Sequence, residues 1–147
     1  MKIPTKIRYG LRFLLDVAEH GAQGVVTLRE ASQRQNISQK YLWQVVAPLK
    51  SAGLIIAERG KDGGFRLARG PGEVTILDVY KAMDGECALV GCVASEQFCP
   101  RGDLCAVRDV WVEISRGLGD LMQGYSLEAI LRREQRERGA RGPEYSI

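Results

Sequence analysis

The 147 residues, 45% of them hydrophobic, suffice for one domain or a small domain with a protruding element, and no run of about 18 apolar residues is present to cross a bilayer. The net charge of +3 conceals a split: residues 1–70 hold 12 Lys/Arg against 5 Asp/Glu, a balance of +7, and residues 71–147 hold 9 against 13, a balance of −4. A basic first half is the footprint of a polyanion partner, and a single histidine, with no phosphate-binding loop and no paired acid–base site, argues against an enzyme.

In chain order, Ile7, Leu11, Leu14, Leu15 and Ala18 recur at helical spacing, and Gly21 is placed to stop that first helix. Thr27 and Glu30 form a capping box for a short second helix whose apolar face is Leu28 and Ala31. Ser38 can cap a third, with Ile37 and Leu42 as a hydrophobic staple. This helix buries Leu42, Val45, Val46 and Leu49 and turns Gln39, Lys40, Trp43 and Gln44 the other way; Pro48 should bend it and Gly53 end it. Residues 54–58 and 65–68 are β-compatible runs joined by the basic, glycine-rich Arg59-Gly60-Lys61-Asp62-Gly63-Gly64, a hairpin. Three helices followed by a hairpin is the order of a winged helix-turn-helix, in which the third helix enters the major groove and the wing reaches the adjacent backbone or minor groove.

Beyond Pro71-Gly72, Thr75 can cap a fourth helix carrying Ile76, Val79, Tyr80 and Met83. Then come the only cysteines, Cys87, Cys92, Cys99 and Cys105, separated by four, six and five residues. No apolar stretch framed as a secretory signal follows Met1, so the expected compartment is the reducing cytoplasm, where thiols stay free or bind metal. Structural zinc sites carry closely spaced pairs, whereas wide irregular gaps suit a loop draped round an iron–sulfur cluster, two-iron or four-iron. A zinc- or thiol-dependent regulator and a small iron–sulfur electron-transfer protein are the alternatives, though the latter has no use for a basic hairpin.

After Cys105 the clearest periodicity of the chain sets in: Val107, Val110, Trp111, Ile114, Leu118, Leu121 and Met122. A stripe this long in so small a domain predicts pairing with a second copy of itself, because groove-reading helices act in two-fold pairs on palindromic double-stranded DNA. Ser126 caps a last short helix with Leu127, Ile130 and Leu131, and from Arg132 the chain is charged and glycine-containing. The expected architecture is mainly α with a small β wing: a winged helix-turn-helix at 1–72, a cysteine-loop sensor and dimerisation region with one long helix at 73–131, and a polar, disordered tail at 132–147.

Taken together, Thr5-Lys6-Ile7-Arg8-Tyr9, Ser38-x-x-Tyr41-Leu42, Leu49-Lys50-x-x-Gly53-Leu54, Arg59-Gly60-x-x-Gly63-Gly64-Phe65 and the three spaced cysteines that follow resemble the IscR and NsrR family of bacterial winged-helix transcription regulators, from the N-terminus to about residue 131. The resemblance implies a homodimer with crossed long helices, operator binding controlled by an iron–sulfur cluster on Cys92, Cys99 and Cys105 near the dimer interface, and a signal such as redox state, nitric oxide or iron–sulfur status. It puts Ser38, Gln39, Lys40, Tyr41 and Gln44 at or near the groove and Arg59 and Lys61 in the wing. The fourth cluster ligand departs from the family: IscR-type members use a histidine three residues after the last cysteine, where this chain has Arg108, and NsrR-type members use a carboxylate of the partner's first helix, where this chain has Arg8. Cys87 is the leading intrachain candidate, with Glu96, Asp103 or Asp109 as oxygen alternatives. His20, far off at the end of the first helix, is expected to be a surface residue.

Overall fold

The computed structural model describes residues 2–95, 99, 101 and 104–140. Helix α1 (Thr5–His20) buries Ile7, Phe13, Leu14 and Val17 on one face and stops at Gly21, whose N–H bonds the Val17 carbonyl. Helix α2 (Leu28–Gln35) opens on a reciprocal cap in which the Thr27 hydroxyl accepts from the Glu30 N–H and the Glu30 carboxylate accepts from the Thr27 N–H at 2.8 Å. Asn36 then adopts a left-handed φ of 52°, turning the chain into α3 (Gln39–Ser51), whose first free N–H groups are met by the Ser38 hydroxyl accepting from Tyr41.

Leu42, Val45, Val46 and Leu49 seal α3 onto α1. Gly53, at φ 68°, ends it: its N–H returns to Lys50 while that of Leu54 returns to Leu49, so two orphan carbonyls are satisfied and Leu54 is folded into the core. Strands β1 (Ile55–Glu58) and β2 (Gly64–Leu67) pair antiparallel with Ile56 opposite Arg66 and Ala57 opposite Phe65. The wing tip closes tightly enough that a Cβ on Gly63 would sit 2.4 Å from the Glu58 carbonyl oxygen, which excludes every other residue there. A third rung, unforeseen from sequence, comes from Val26, which exchanges two 2.8 Å backbone hydrogen bonds with Phe65 and ties the wing to the start of α2.

Helix α4 (Ile76–Asp84), capped by Thr75 and Asp78, packs against α1 and α3, with Met83 close over Gly10. A single turn, α5 (Gly91–Ala94), and the long α6 (Ala106–Gln123) follow, and α4 and α5 both lie against α6. Helix α7 (Leu127–Ala140) returns to α1, with Leu127 fully buried and its N–H on the Val74 carbonyl. The expected disorder from 132 onward is corrected for 132–140, which continue α7. The charges that looked like a solvated tail are in register, pairing Arg132 with Glu128, Arg133 with Glu137 and Arg138 with Glu134 at i,i+4, and Arg138 also reaches Glu19 on α1 at 2.9 Å. Residues 141–147 lie outside the described residues.

One apolar cluster joins Phe13, Leu14, Leu42, Leu49 and Phe65 with Val74, Val79, Met83 and Leu127. The molecule is therefore mainly helical with a two-stranded antiparallel wing, a winged helix-turn-helix. No helix among the described residues is long and apolar enough to cross a membrane.

Candidate nucleic-acid interface and cysteine segment

The outer side of α3 presents Gln39, Lys40 and Gln44, all exposed, with Trp43 between them. Ser38 holds the helix start as its cap, an oxygen that is consequently engaged at 3.2 Å with the Tyr41 N–H. Tyr41 is half-buried rather than displayed: its ring meets Tyr9 edge-on at 5.1 Å, and the Arg12 guanidinium lies 5.6 Å over Tyr9. Arg59 and Lys61 are exposed in the wing tip, beside Gly60 at φ 117°.

A buried polar clamp ties the first two helices together just ahead of the turn into α3. The Asp16 side chain, with no solvent exposure, receives two hydrogen bonds from Arg34, at 2.9 and 2.8 Å, and one from Gln35 at 3.2 Å. Arg12 adds contacts from α1 to the Gln35 side chain and backbone carbonyl. Burial pushes the Asp16 carboxyl up, but the hydrogen bonds from Arg34 and Gln35 and the Arg34 and His20 charges outweigh it and hold it below the usual carboxylate range. These partners are 18 and 19 residues from Asp16, a separation that no local pattern announces. His20 belongs to this corner too, its ring nitrogen 3.0 Å from the Asp16 carbonyl, remote in sequence from every cysteine.

All four cysteines are free and half-buried. Cys92 lies in α5, Cys105 immediately precedes α6, and Cys87 follows α4, where burial and then the neighbouring Glu86 push its thiol up against the opposing pull of Lys81. Among the described residues no three His, Cys, Asp or Glu side chains converge closely enough to hold a metal ion. Of the oxygen candidates, Glu96 and Asp103 lie outside the described residues, and Asp109 is exposed in the first turn of α6. Arg108 reaches across to donate from Nε to the Cys92 carbonyl at 2.9 Å, and the buried Ser115 hydroxyl accepts from the Leu89 N–H at 3.2 Å. The segment is thus pinned to α6 at two points, while at its other end Asp84 closes α4 with a 2.6 Å ion pair to Lys6 on α1.

The long helix leaves its stripe bare. Val107, Val110, Trp111, Ile114 and Leu121 are exposed, and the seam is longer than the sequence reading gave it, extending to Leu104, 96% exposed, and to Tyr125. Positions 104, 107, 111, 114, 118, 121 and 125 follow the alternating three–four spacing of a coiled-coil face, a signal that was present in the sequence.

Residues 3–133 match the family model described as "Rrf2: Iron-dependent Transcriptional regulator". The chain is 35% identical over 132 residues to Protein rrf2 of Nitratidesulfovibrio vulgaris, covering 90% of this chain and 88% of that one. It is also 35% identical over 131 residues to the HTH-type transcriptional regulator IscR of Aliivibrio salmonicida, covering 89% and 77%. The structure of CymR, described as the global cysteine regulator of B. subtilis, superposes with a TM-score of 0.74 at 31% identity over 90% of this chain and 98% of that one. With the reading helix, wing and matched span in agreement, the chain belongs to the Rrf2 family of DNA-binding transcriptional regulators and is not an enzyme.

Proposed function

We propose that the protein binds a palindromic operator as a homodimer paired through the α6 seam, and that an iron–sulfur cluster on Cys92, Cys99 and Cys105 sets its affinity. The observation that carries this reading is connectivity: the segment holding all four cysteines runs between α4, packed in the core of the reading head, and α6, whose apolar face is bare. Three thiols on one segment are a donor set suited to a soft metal centre, and the family's description as iron-dependent supports iron. Cys87, the remaining thiol of the segment, is the candidate fourth donor. A bound cluster would supply a group that oxidants, nitric oxide or iron scarcity destroy.

The chain's own residues convert that event into motion. Drawing Cys92, Cys99 and Cys105 to one centre rearranges the segment between α4 and α6, because no such convergence exists among the described residues. The Arg108 and Ser115 contacts carry that shift into α6, and the Asp84–Lys6 pair carries it to the first helix of the reading head. Two heads related by a two-fold axis then change spacing, which a fixed half-site separation reads as affinity.

Protein purified without oxygen is expected to be coloured, to contain iron and sulfide, and to lose both in Cys92→Ala, with operator affinity changing by roughly 5–150-fold, the usual range of coupling between sites. Ultraviolet–visible spectra, iron and sulfide quantitation and mobility shifts check it, and equal affinity with and without the cluster would remove the switch. A second reading, a thiol- or zinc-dependent regulator without a cluster, is favoured by the lack of convergence just described. Colourless anaerobic protein whose DNA binding responds to thiol oxidation selects it, and bound zinc selects its metal form.

Arg59→Ala probes the wing. An exposed guanidinium beside flexible glycine backbone is expected to meet phosphate, so the variant should weaken binding to all sequences alike and lower the salt slope by about one. A loss confined to one base position, about 1–3 kcal/mol, would identify a base contact instead.

A further inference from the structure

The reading helix carries one large apolar side chain that its core does not use. Trp43 is 61% exposed, and the other exposed large hydrophobic residues among those described all lie along the α6 seam except Ile56 of β1. Trp43 borders a groove of about 560 Å³ between α3 and the wing, with the buried Val46 and Phe65 behind it, the small Ala47 one turn on, Lys50 and Arg59 at its edges, and the one lining carboxylate, Glu58, neutralised by its ion pair with Arg66. Because Lys40, Trp43 and Ala47 fall at i, i+3 and i+7, the indole stands on the same outward face as a cation three residues before it and Gln44 one residue after.

We propose that Trp43 is an apolar base reader that packs against the 5-methyl group of a thymine in the major groove, a specificity determinant that rests on the DNA-binding reading above. The cations flanking the groove select a polyanion rather than an apolar protein surface as the occupant. Within a major groove, the thymine methyl is the one apolar feature of the base edges, and apolar side chains on a reading helix recognise it by contact. An indole supplies a wide apolar face and a single donor, so its discrimination is by covering the methyl, while Lys40 and Gln44 hydrogen-bond to the edges on either side. The gap left by Ala47 lets the ring lie flat instead of standing off the bases. Insertion of the ring between base steps is the other use of a large apolar group on DNA, but that wedge is driven from the minor groove, where a major-groove helix does not reach.

The test uses the full chain to select duplexes from a random pool, after which each thymine of the recovered sequence is replaced in turn by deoxyuridine, removing only the 5-methyl group. At one thymine in each half-site the wild type should lose about fourfold in affinity, the equivalent of one buried methyl, and Trp43→Ala should bind the thymine and uracil duplexes equally. A scan without effect at any position, recovered half-sites that lack thymine, or a uracil penalty that persists in Trp43→Ala overturns the assignment. So does a methyl-independent loss in Trp43→Ala accompanied by loss of a duplex kink, which marks an intercalating wedge. Failure of the wild type to recover any duplex overturns the DNA-binding reading itself. The scan on the wild type stands whether or not the variant folds.

Discussion

Ile114→Asp is expected to give a folded monomer that binds a palindromic operator at least about a hundredfold more weakly than the wild type. Ile114 sits at the middle of the α6 seam and is 46% exposed in the single chain, so a carboxylate there stays hydrated in the monomer and costs the fold little. In the proposed pairing through this seam, the substitution buries one carboxylate from each copy in an apolar interface without partners, a penalty of several kcal/mol that outweighs the gain from neighbouring Trp111 and Leu118. Operator affinity follows, because linking two reading heads makes the second half-site contact intramolecular and raises overall binding by about 10²–10⁴. Sedimentation gives the mass, circular dichroism the fold and mobility shifts the affinity. A dimer of unchanged operator affinity would show that α6 pairs with nothing, and its bare stripe would need another explanation.

The parts of this molecule that were legible in sequence are those whose signal is local. Thr27, Ser38, Thr75 and Ser126 each precede a helix and each meets the N–H three residues on, because a short hydroxyl can reach only that far. The wing was legible since glycine is obligatory where Gly63 approaches Glu58, and the α6 stripe since its spacing repeats. Less readable were features made by distant segments. The Val26–Phe65 rung joins residues with nothing in common but position, and the Asp16 clamp joins a helix to the far end of the next. The stretch after Leu131 misled because composition alone marks it as solvated, whereas its order comes from charges falling four apart and from Glu19 on α1. Cysteine spacing told of the donors but not of their convergence, which depends on loop dihedrals that gaps of four, six and five residues leave open.

The clamp makes the second large prediction, and its asymmetry is the point. Arg34→Met is expected to lower the unfolding free energy by about 3 kcal/mol, against about 1–2 kcal/mol for Asp16→Ala, although both delete the same pair. The Asp16 side chain has no solvent exposure, so without Arg34 it remains a buried carboxylate with Gln35 as its hydrogen-bond partner, whereas Arg34, with a third of its side chain in solvent, is rehydrated when Asp16 is removed. Removing both should cost less than the sum, since the variant with neither group strands no charge. Urea denaturation at neutral pH measures the cycle, and equal losses below about 1 kcal/mol would mean that the pair is hydrated in solution. The pH dependence carries the same signature. With its folded-state carboxyl held below the ordinary value, Asp16 contributes stability that is present above the unfolded-state pKa, near 3.9, and that is lost as pH falls through the lower folded value. Arg34→Met removes the strongest of the pulls on that carboxyl, leaving burial to push it upward, so the acid-unfolding limb should move to higher pH. Because Arg34 and Gln35 immediately precede the Asn36 turn into α3, a loosened clamp also frees the angle of the reading helix, and operator affinity should fall in the order of the stability losses rather than of the charges removed.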